Sequence, residues 1–281
     1  MNSPRATLGR VLAALASATF TLGPIVDTAA AGRVPILVGQ VPPPGLMPMR
    51  EGHVNHATWE RLLSTYVDDR GLVRYAAWKR EAERDLDDYL YTMRSVPVDS
   101  LVRSEALAYW INVYNALTVR AILIFYPLKS IKEKVSPLGF NVWDDVRMYV
   151  GTEERSLNDI EHEILRKMGE PRIHFAIVCA SLGCPRLRME AYRAERLEEQ
   201  LDEDARVFLA RADALAIDRR ARRVRLSRIL DWFGGDFGTD ERSRLAFVAR
   251  FAPSAADSAF LLEPGLRVSH SEYDWSLNER K

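Results

Sequence analysis

Hydrophobic positions recur at helical spacing over much of the chain. Trp59, Leu62 and Leu63 lie three and four residues apart, which predicts a helix that begins near His53. The stretch around Ile111 and Leu117 is apolar on nearly every side, so that helix should lie inside the fold. The further predicted helices cover roughly residues 76–94, 103–125, 189–210 and 240–251.

Short strand patterns separate these helices. Residues 66–75 and 215–226 are typical of strand–turn–strand units, and residues 143–150 of a single strand. The apolar run 172–179, bounded by Pro171 and a turn, predicts a buried strand. Helices interleaved with short strand pairs indicate an α+β fold, with a single helix-rich domain over residues 53–281.

A helix start is marked between the strand at 143–150 and the run 172–179. Ser156 is followed three residues later by Asp159, as in a capping box, and Leu157 and Ile160 begin the apolar repeat. The sequence therefore predicts a helix that begins at Ser156 and carries Glu161 and His162.

The first 31 residues have the order of a secretory signal peptide. Arg5 and Arg10 precede an uncharged apolar stretch, and small residues lead to a cleavage site after Ala31. Gly23 and Pro24 make the stretch weak as a membrane span. We therefore expect a periplasmic or secreted protein with no stable membrane span after cleavage. The Pro-rich residues 32–52 predict an extended, unpacked arm before the domain.

Charge and motif content narrow the ligand classes. The 39 basic and 39 acidic residues balance, so neither nucleic acid nor an anionic membrane surface is an expected partner. Gly-rich phosphate loops and dinucleotide fingerprints do not occur in the sequence, and we expect no cofactor. The C-x4-C spacing with one histidine leaves a tetrahedral metal site short of ligands. The expected partner is an unidentified small-molecule or peptide ligand.

The two cysteines, Cys179 and Cys184, are the residues with most chemical content. In an extended chain their Cα atoms would lie about 16 Å apart, beyond the ~7 Å limit for a disulfide, so a bridge needs a chain reversal near Gly183. An oxidising compartment favours such a bridge. A reactive thiol is the competing interpretation. Cys184 precedes Pro185, which is favoured at the first position of a helix, and Cys179 ends the predicted strand.

A nucleophilic cysteine needs a base, for which His162 and His174 are the candidates. Because His174 and Cys179 are an odd number of residues apart, a regular strand would point them to opposite faces. His174 would then reach Cys184 through a folded loop, or His162 would approach Cys179 from the neighbouring helix.

Three further residues, Glu161, Asn112 and Asn115, are candidates to orient the imidazole of such a pair. Structural roles are equally open for this set of residues. His174 would be a core residue, the asparagines would bind buried backbone, and Glu161 would pair with an arginine.

Five segments in this order resemble the domain of unknown function 547 family. They are 109–118 (YWINVYNALT), 156–162 (SLNDIEH), 172–181 (RIHFAIVCAS), 183–185 (GCP) and 273–278 (YDWSLN), and the resemblance runs from about residue 60 to 278. It implies one helix-rich domain. It also suggests a likeness to papain-like or transglutaminase-like thiol enzymes, which fits Cys179 or Cys184 with His162 or His174.

Two functions follow from this set of residues. The first is a thiol-dependent acyl transferase or hydrolase that acts on an amide or peptide-like substrate. The second is a non-catalytic binding or scaffold domain with a structural Cys179–Cys184 disulfide.

Overall fold

Helices dominate the architecture of the protein. The computed structural model describes residues 34–136 and 139–280, so the predicted signal peptide lies outside the described residues. The α-helices are α1 (Ala57–Tyr66), α2 (Tyr75–Arg94), α3 (Arg103–Phe125), α4 (Val142–Asp145), α5 (Leu197–Leu209), α6 (Ile229–Trp232), α7 (Gly234–Phe237), α8 (Glu241–Ala249) and α9 (Ala255–Leu261). The predicted helices at 76–94 and 103–125 are confirmed almost to the residue.

Small sheets complete the fold, and the α+β class is confirmed. The strands are β1 (Ile36–Leu37), β2 (Met49–Arg50), β3 (His53–Val54), β4 (Val146–Val150), β5 (Glu153–Ser156), β6 (Leu215–Asp218), β7 (Arg223–Leu226) and β8 (Arg267–His270). Strand β4 lies between β1, to which it is parallel, and β5, to which it is antiparallel. The predicted hairpin at 215–226 is β6–β7, and β8 runs parallel to β7 on its other side.

Helix α3 is the centre of the larger core. It is long and apolar enough to cross a membrane by length and composition, but 89% of its most apolar window is buried inside the fold. It packs on α2, which packs in turn on α1. A second, smaller core joins one face of α5 to β6, β7 and α8. The described residues form one unit, in which these two cores meet.

The prediction of a buried strand at residues 172–179 is wrong. Pro171–Phe175 forms a 3-10 helix instead. The Glu170 carboxylate caps it by accepting the Arg172 N–H at 3.0 Å, and Pro171 suits the first helical position because it has no N–H to satisfy. An apolar run shows that a segment is buried, but it does not distinguish a strand from other buried conformations.

The unit predicted as strand–turn–strand at 66–75 forms the turn but no extended strands, since α1 ends at Tyr66 and α2 begins at Tyr75. Val67 and Val73 form a single bridge between α1 and α2. Gly71 in the turn has φ +79°, and a Cβ there would lie 2.7 Å from the Leu187 nitrogen. The turn therefore needs glycine in order to pack on the chain that follows the second cysteine.

The Pro-rich segment before the domain packs against the domain, so the prediction that this segment is unpacked is wrong. Ile36 and Leu37 pair with Val146 and Arg147 of β4, and Val38 is 4% exposed. The apolar side chains of this segment favour burial. Its backbone pairs with β4, which would otherwise be an edge strand of the sheet.

Candidate active site

The loop between the two cysteines reverses the chain, as a close approach of their sulfurs requires. The Cys184 N–H donates to the Ser181 carbonyl at 3.1 Å, and Ala180 has φ +58°. The C-terminal segment lies against this loop. The Gly183 N–H donates to the Asp274 carbonyl at 2.8 Å, and a Cβ on Gly183 would fall 3.0 Å from the Asp274 backbone. A side chain at this position would require the Asp274 backbone to shift by a few tenths of an ångström.

The cysteines are free thiols. Their sulfurs are 2.9 Å apart, well beyond the S–S bond length of about 2.05 Å, so the predicted disulfide is not present. The predicted helix start at Pro185 is also wrong, because the following helical segment begins with a 3-10 turn at Ala194–Arg196. Cys184 therefore gains no helix-terminus charge.

Hydrogen bonds around the Cys179 sulfur favour its thiolate. The Cys184 S–H donates to it at 2.9 Å, and the hydroxyls of Ser181 and Tyr273 lie 3.1 and 3.2 Å away. Each of these groups carries one rotatable hydrogen that can turn to a negative sulfur. They lower the pKa of Cys179 to about 7 against the opposing effect of burial. Burial and the role of hydrogen-bond donor raise the pKa of Cys184 well above its usual value.

Both candidate histidines line the same cavity as the two cysteines, a space of about 180 Å³. The parity argument that separated His174 from Cys179 does not apply, because the segment between them is not a strand. In the part of the chain that the structure describes, however, no hydrogen bond joins His162 or His174 to either sulfur. The residues share a cavity without forming a Cys–His pair.

His174 is held as a buried, neutral imidazole. Its Nε2–H donates to Asp236 Oδ2 at 2.8 Å, and its ring stacks on Phe233 with centroids 4.1 Å apart. Burial lowers the pKa of His174 to about 4. Because only 1% of the side chain is exposed, His174 has little access to a ligand.

His162 has the same tautomer as His174, although a different residue sets it. An Arg166 N–H donates to His162 Nδ1 at 3.2 Å, so the neutral ring carries its proton on Nε2. Arg166 also forms two hydrogen bonds, of 2.7 and 2.9 Å, with Asp236. The Arg166–Asp236 pair thus connects the two histidines. The capping box predicted at Ser156 and Asp159 is confirmed, and it leads into the π-helical segment Asp159–Leu165 that carries His162.

Among the described residues, the hydrogen-bond partner of Glu161 is a tyrosine, and neither an imidazole nor an arginine forms a hydrogen bond with it. Its Oε2 accepts the Tyr114 hydroxyl at 2.9 Å. Glu161 is only 8% exposed, lines the cavity, and has its pKa raised by burial. The role of imidazole partner belongs to Asp236, a residue for which the sequence offered no motif.

The two asparagines of α3 bond buried backbone, which is the structural role that the sequence left open for them. Asn112 exchanges two hydrogen bonds with the backbone of Tyr192. Asn115 donates to the Ala176 carbonyl and accepts the Val178 N–H, both at 3.0 Å. Asn115 therefore fixes the chain directly before Cys179 from inside the core.

Tyr273 and Ser181 are the site residues that sequence reasoning overlooked. Both lie in the segments that carry the family resemblance, which was the available signal. In the described part of the chain, no cluster of His, Cys, Asp and Glu has the arrangement of a metal site.

The comparisons with known proteins bear on this site. The model of DUF547, a family described as protein of unknown function, matches residues 98–209. The chain carries a domain of this family. The DUF547 match includes both cysteines, both histidines and Glu161, whereas Asp236 and Tyr273 lie beyond it. A search of the curated proteins and a search of the solved structures each found no match.

Proposed function

We propose that this DUF547 protein is a thiol-dependent acyl transferase or hydrolase that acts on an amide or peptide-like substrate, with Cys179 as nucleophile. The observation that carries the proposal is the environment of the Cys179 sulfur. It lies at the wall of a cavity and contacts three groups able to donate a hydrogen bond, which bring the pKa of this thiol to about 7. At neutral pH a large fraction of Cys179 is then the nucleophilic thiolate.

Cys184 is the supporting thiol. It is 6% exposed, its S–H points to Cys179, and the raised pKa keeps its proton on sulfur at neutral pH. A protonated Cys184 stabilises the negative charge on Cys179 and has little nucleophilicity of its own.

The reaction follows from this assignment. The Cys179 thiolate attacks the amide carbonyl carbon, and the carbon–nitrogen bond breaks as the leaving amine takes a proton. Water or another acceptor then attacks the thioester, which releases the acyl group and returns Cys179. His162 is better placed than His174 to give the leaving amine its proton. The residue is only partly buried, and Arg166 bonds its Nδ1, which leaves the Nε2–H available.

His174 is a positioning residue in this proposal. It is bound to Asp236 and stacked on Phe233, so it holds the cavity wall and the carboxylate that pairs with Arg166. The predicted signal peptide supports a reaction outside the cytoplasm, in the periplasm or after secretion.

An activated ester tests the proposal without knowledge of the natural substrate. With p-nitrophenyl acetate we expect a burst of p-nitrophenol and an acetyl group on the peptide that contains Cys179. Cys179→Ser should abolish both, while Cys184→Ala, which removes the S–H that donates to Cys179, should slow acylation through a higher Cys179 pKa. His162→Gln should slow turnover of thioesters and amides more than His174→Gln does.

An unchanged burst in Cys179→Ser would refute the assignment. A protein with no burst, in which Cys179 also resists iodoacetamide at pH 8, would indicate a non-catalytic binding or scaffold domain.

A further inference from the structure

Aromatic side chains form one side of the cavity beside Cys179. We call this set the aromatic wall, and its members are Trp143, Trp232, Phe233, Tyr273 and Trp275. The rings are mutually packed: Trp232 and Trp275 stack with centroids 5.7 Å apart, and Tyr273 lies 4.9 Å from Trp232 and 4.6 Å from Trp275. Packed rings present a rigid surface that loses little conformational entropy on binding.

Trp232 is the exposed member of this wall. Its residue is 48% exposed at the end of α6, although the ring has two aromatic neighbours and lines the cavity. A single exposed apolar side chain is ordinary, but one that continues the apolar lining of a cavity next to a reactive thiol is typical of a ligand site.

Charge around the wall selects against ionic ligands. The Lys132 ammonium lies 4.9 Å from the Trp275 ring centroid and already occupies the cation-attracting field of that ring. A second cation would meet this ammonium, while an anion would meet the polar side of the cavity at Glu161. The lining itself contains neither lysine nor arginine to neutralise an anion, since Lys132 contacts the Trp275 ring from outside the lining.

The volume of the cavity limits the size of the group that it can bind. The cavity measures about 180 Å³. An apolar protein cavity of about 150 Å³ accommodates benzene. The space beside Cys179 therefore suits one phenyl-sized group and is too small for a second large side chain.

We propose that the aromatic wall is the specificity subsite, and that it binds one uncharged, phenyl-sized apolar side chain of the acyl donor. This inference rests on the proposed function, because it places that side chain next to the carbonyl that Cys179 attacks. The preferred substrates are then amides of acyl groups with an aromatic or large aliphatic side chain.

Amino-acid chloromethyl ketones test this subsite. In the reaction the Cys179 thiolate forms a bond to the methylene carbon and chloride leaves, so labelling needs no later catalytic step. We would compare N-acetylated reagents derived from phenylalanine, alanine, lysine and glutamate. The measurement is the second-order rate of labelling at Cys179, divided by the iodoacetamide rate of the same variant.

The phenylalanine reagent should react about 10-fold to 100-fold faster than the alanine reagent, as hydrophobic pockets commonly discriminate. Trp232→Ala should reduce this ratio to about 3 or less, by loss of ring contact. Leu262→Ala is the matched control, since Leu262 is 56% exposed and lies outside the lining. It should leave the ratio as in the wild type.

The outcomes separate the two proposals. Resistance of Cys179 to iodoacetamide would refute the proposed nucleophile. Reaction with iodoacetamide but equal rates for the phenylalanine and alanine reagents would overturn the subsite alone, as would a faster lysine or glutamate reagent. A ratio that stays high in Trp232→Ala would also overturn it.

Discussion

Removal of the Tyr273 hydroxyl should raise the pKa of Cys179. In Tyr273→Phe the ring remains in the cavity wall, but the O–H that lies 3.2 Å from the sulfur is lost. A hydrogen bond to a charged group contributes about 1.5–3 kcal/mol, which corresponds to roughly 1–2 pKa units. From a starting pKa of about 7, the thiolate fraction at pH 7 should fall from about one half to below roughly one tenth.

The assay is the rate of Cys179 alkylation by iodoacetamide from pH 5 to pH 10, with the labelled peptide identified by mass spectrometry. The rate rises with pH because only the thiolate reacts. The wild-type inflection should lie near pH 7, and the Tyr273→Phe inflection near pH 8–9. Tyr149→Phe is the control, since the Tyr149 hydroxyl bonds Glu154 between β4 and β5.

An inflection that stays near pH 7 in Tyr273→Phe would refute the hydrogen-bond explanation. A wild-type inflection at the value of an ordinary thiol would refute the activated nucleophile as well.

Two further predictions concern stability. Burial holds the pKa of His174 near 4, below the ordinary 6.5. The unfolded chain therefore binds more protons as the pH falls below 6.5, and the free energy of unfolding should drop by up to about 3 kcal/mol by pH 4. His56, whose pKa desolvation lowers to about 3, contributes with the same sign. Urea denaturation should show a smaller pH slope in His174→Gln, and an unchanged slope would contradict this. Asn115→Leu should cost about 3 kcal/mol, because it leaves the Ala176 carbonyl and the Val178 N–H unpaired; near-normal urea stability would contradict this.

Local patterns predicted the regular elements well. The apolar repeat fixed α2 and α3 closely, and the spacing of Ser156 and Asp159 predicted a helix start that the structure forms with both capping hydrogen bonds. The hairpin β6–β7 followed from strand patterns and a polar turn. These features depend on residues a few positions apart, so a sequence window contains the interactions that produce them.

The segment that leads to Cys179 could not be predicted in the same way. Its apolar residues indicated burial, but the conformation depends on Asn115, whose side chain bonds this backbone from 61 to 63 residues away. Because the Asn115 amide, and not a neighbouring strand, bonds this backbone, the chain takes an irregular path. The alternation of side chains that holds in a regular strand therefore does not apply to His174 and Cys179.

The sequence by itself determined the helical framework, the α+β class and the family resemblance, and it made the two cysteines, His162 and His174 the candidate site residues. Only the tertiary structure decided their chemistry. It left the thiols free, paired His174 with Asp236, and brought the Tyr273 hydroxyl to Cys179 across 94 residues. The physical reason is that the pKa of a buried group depends on its neighbours in space, and chain folding chooses those neighbours from distant parts of the sequence.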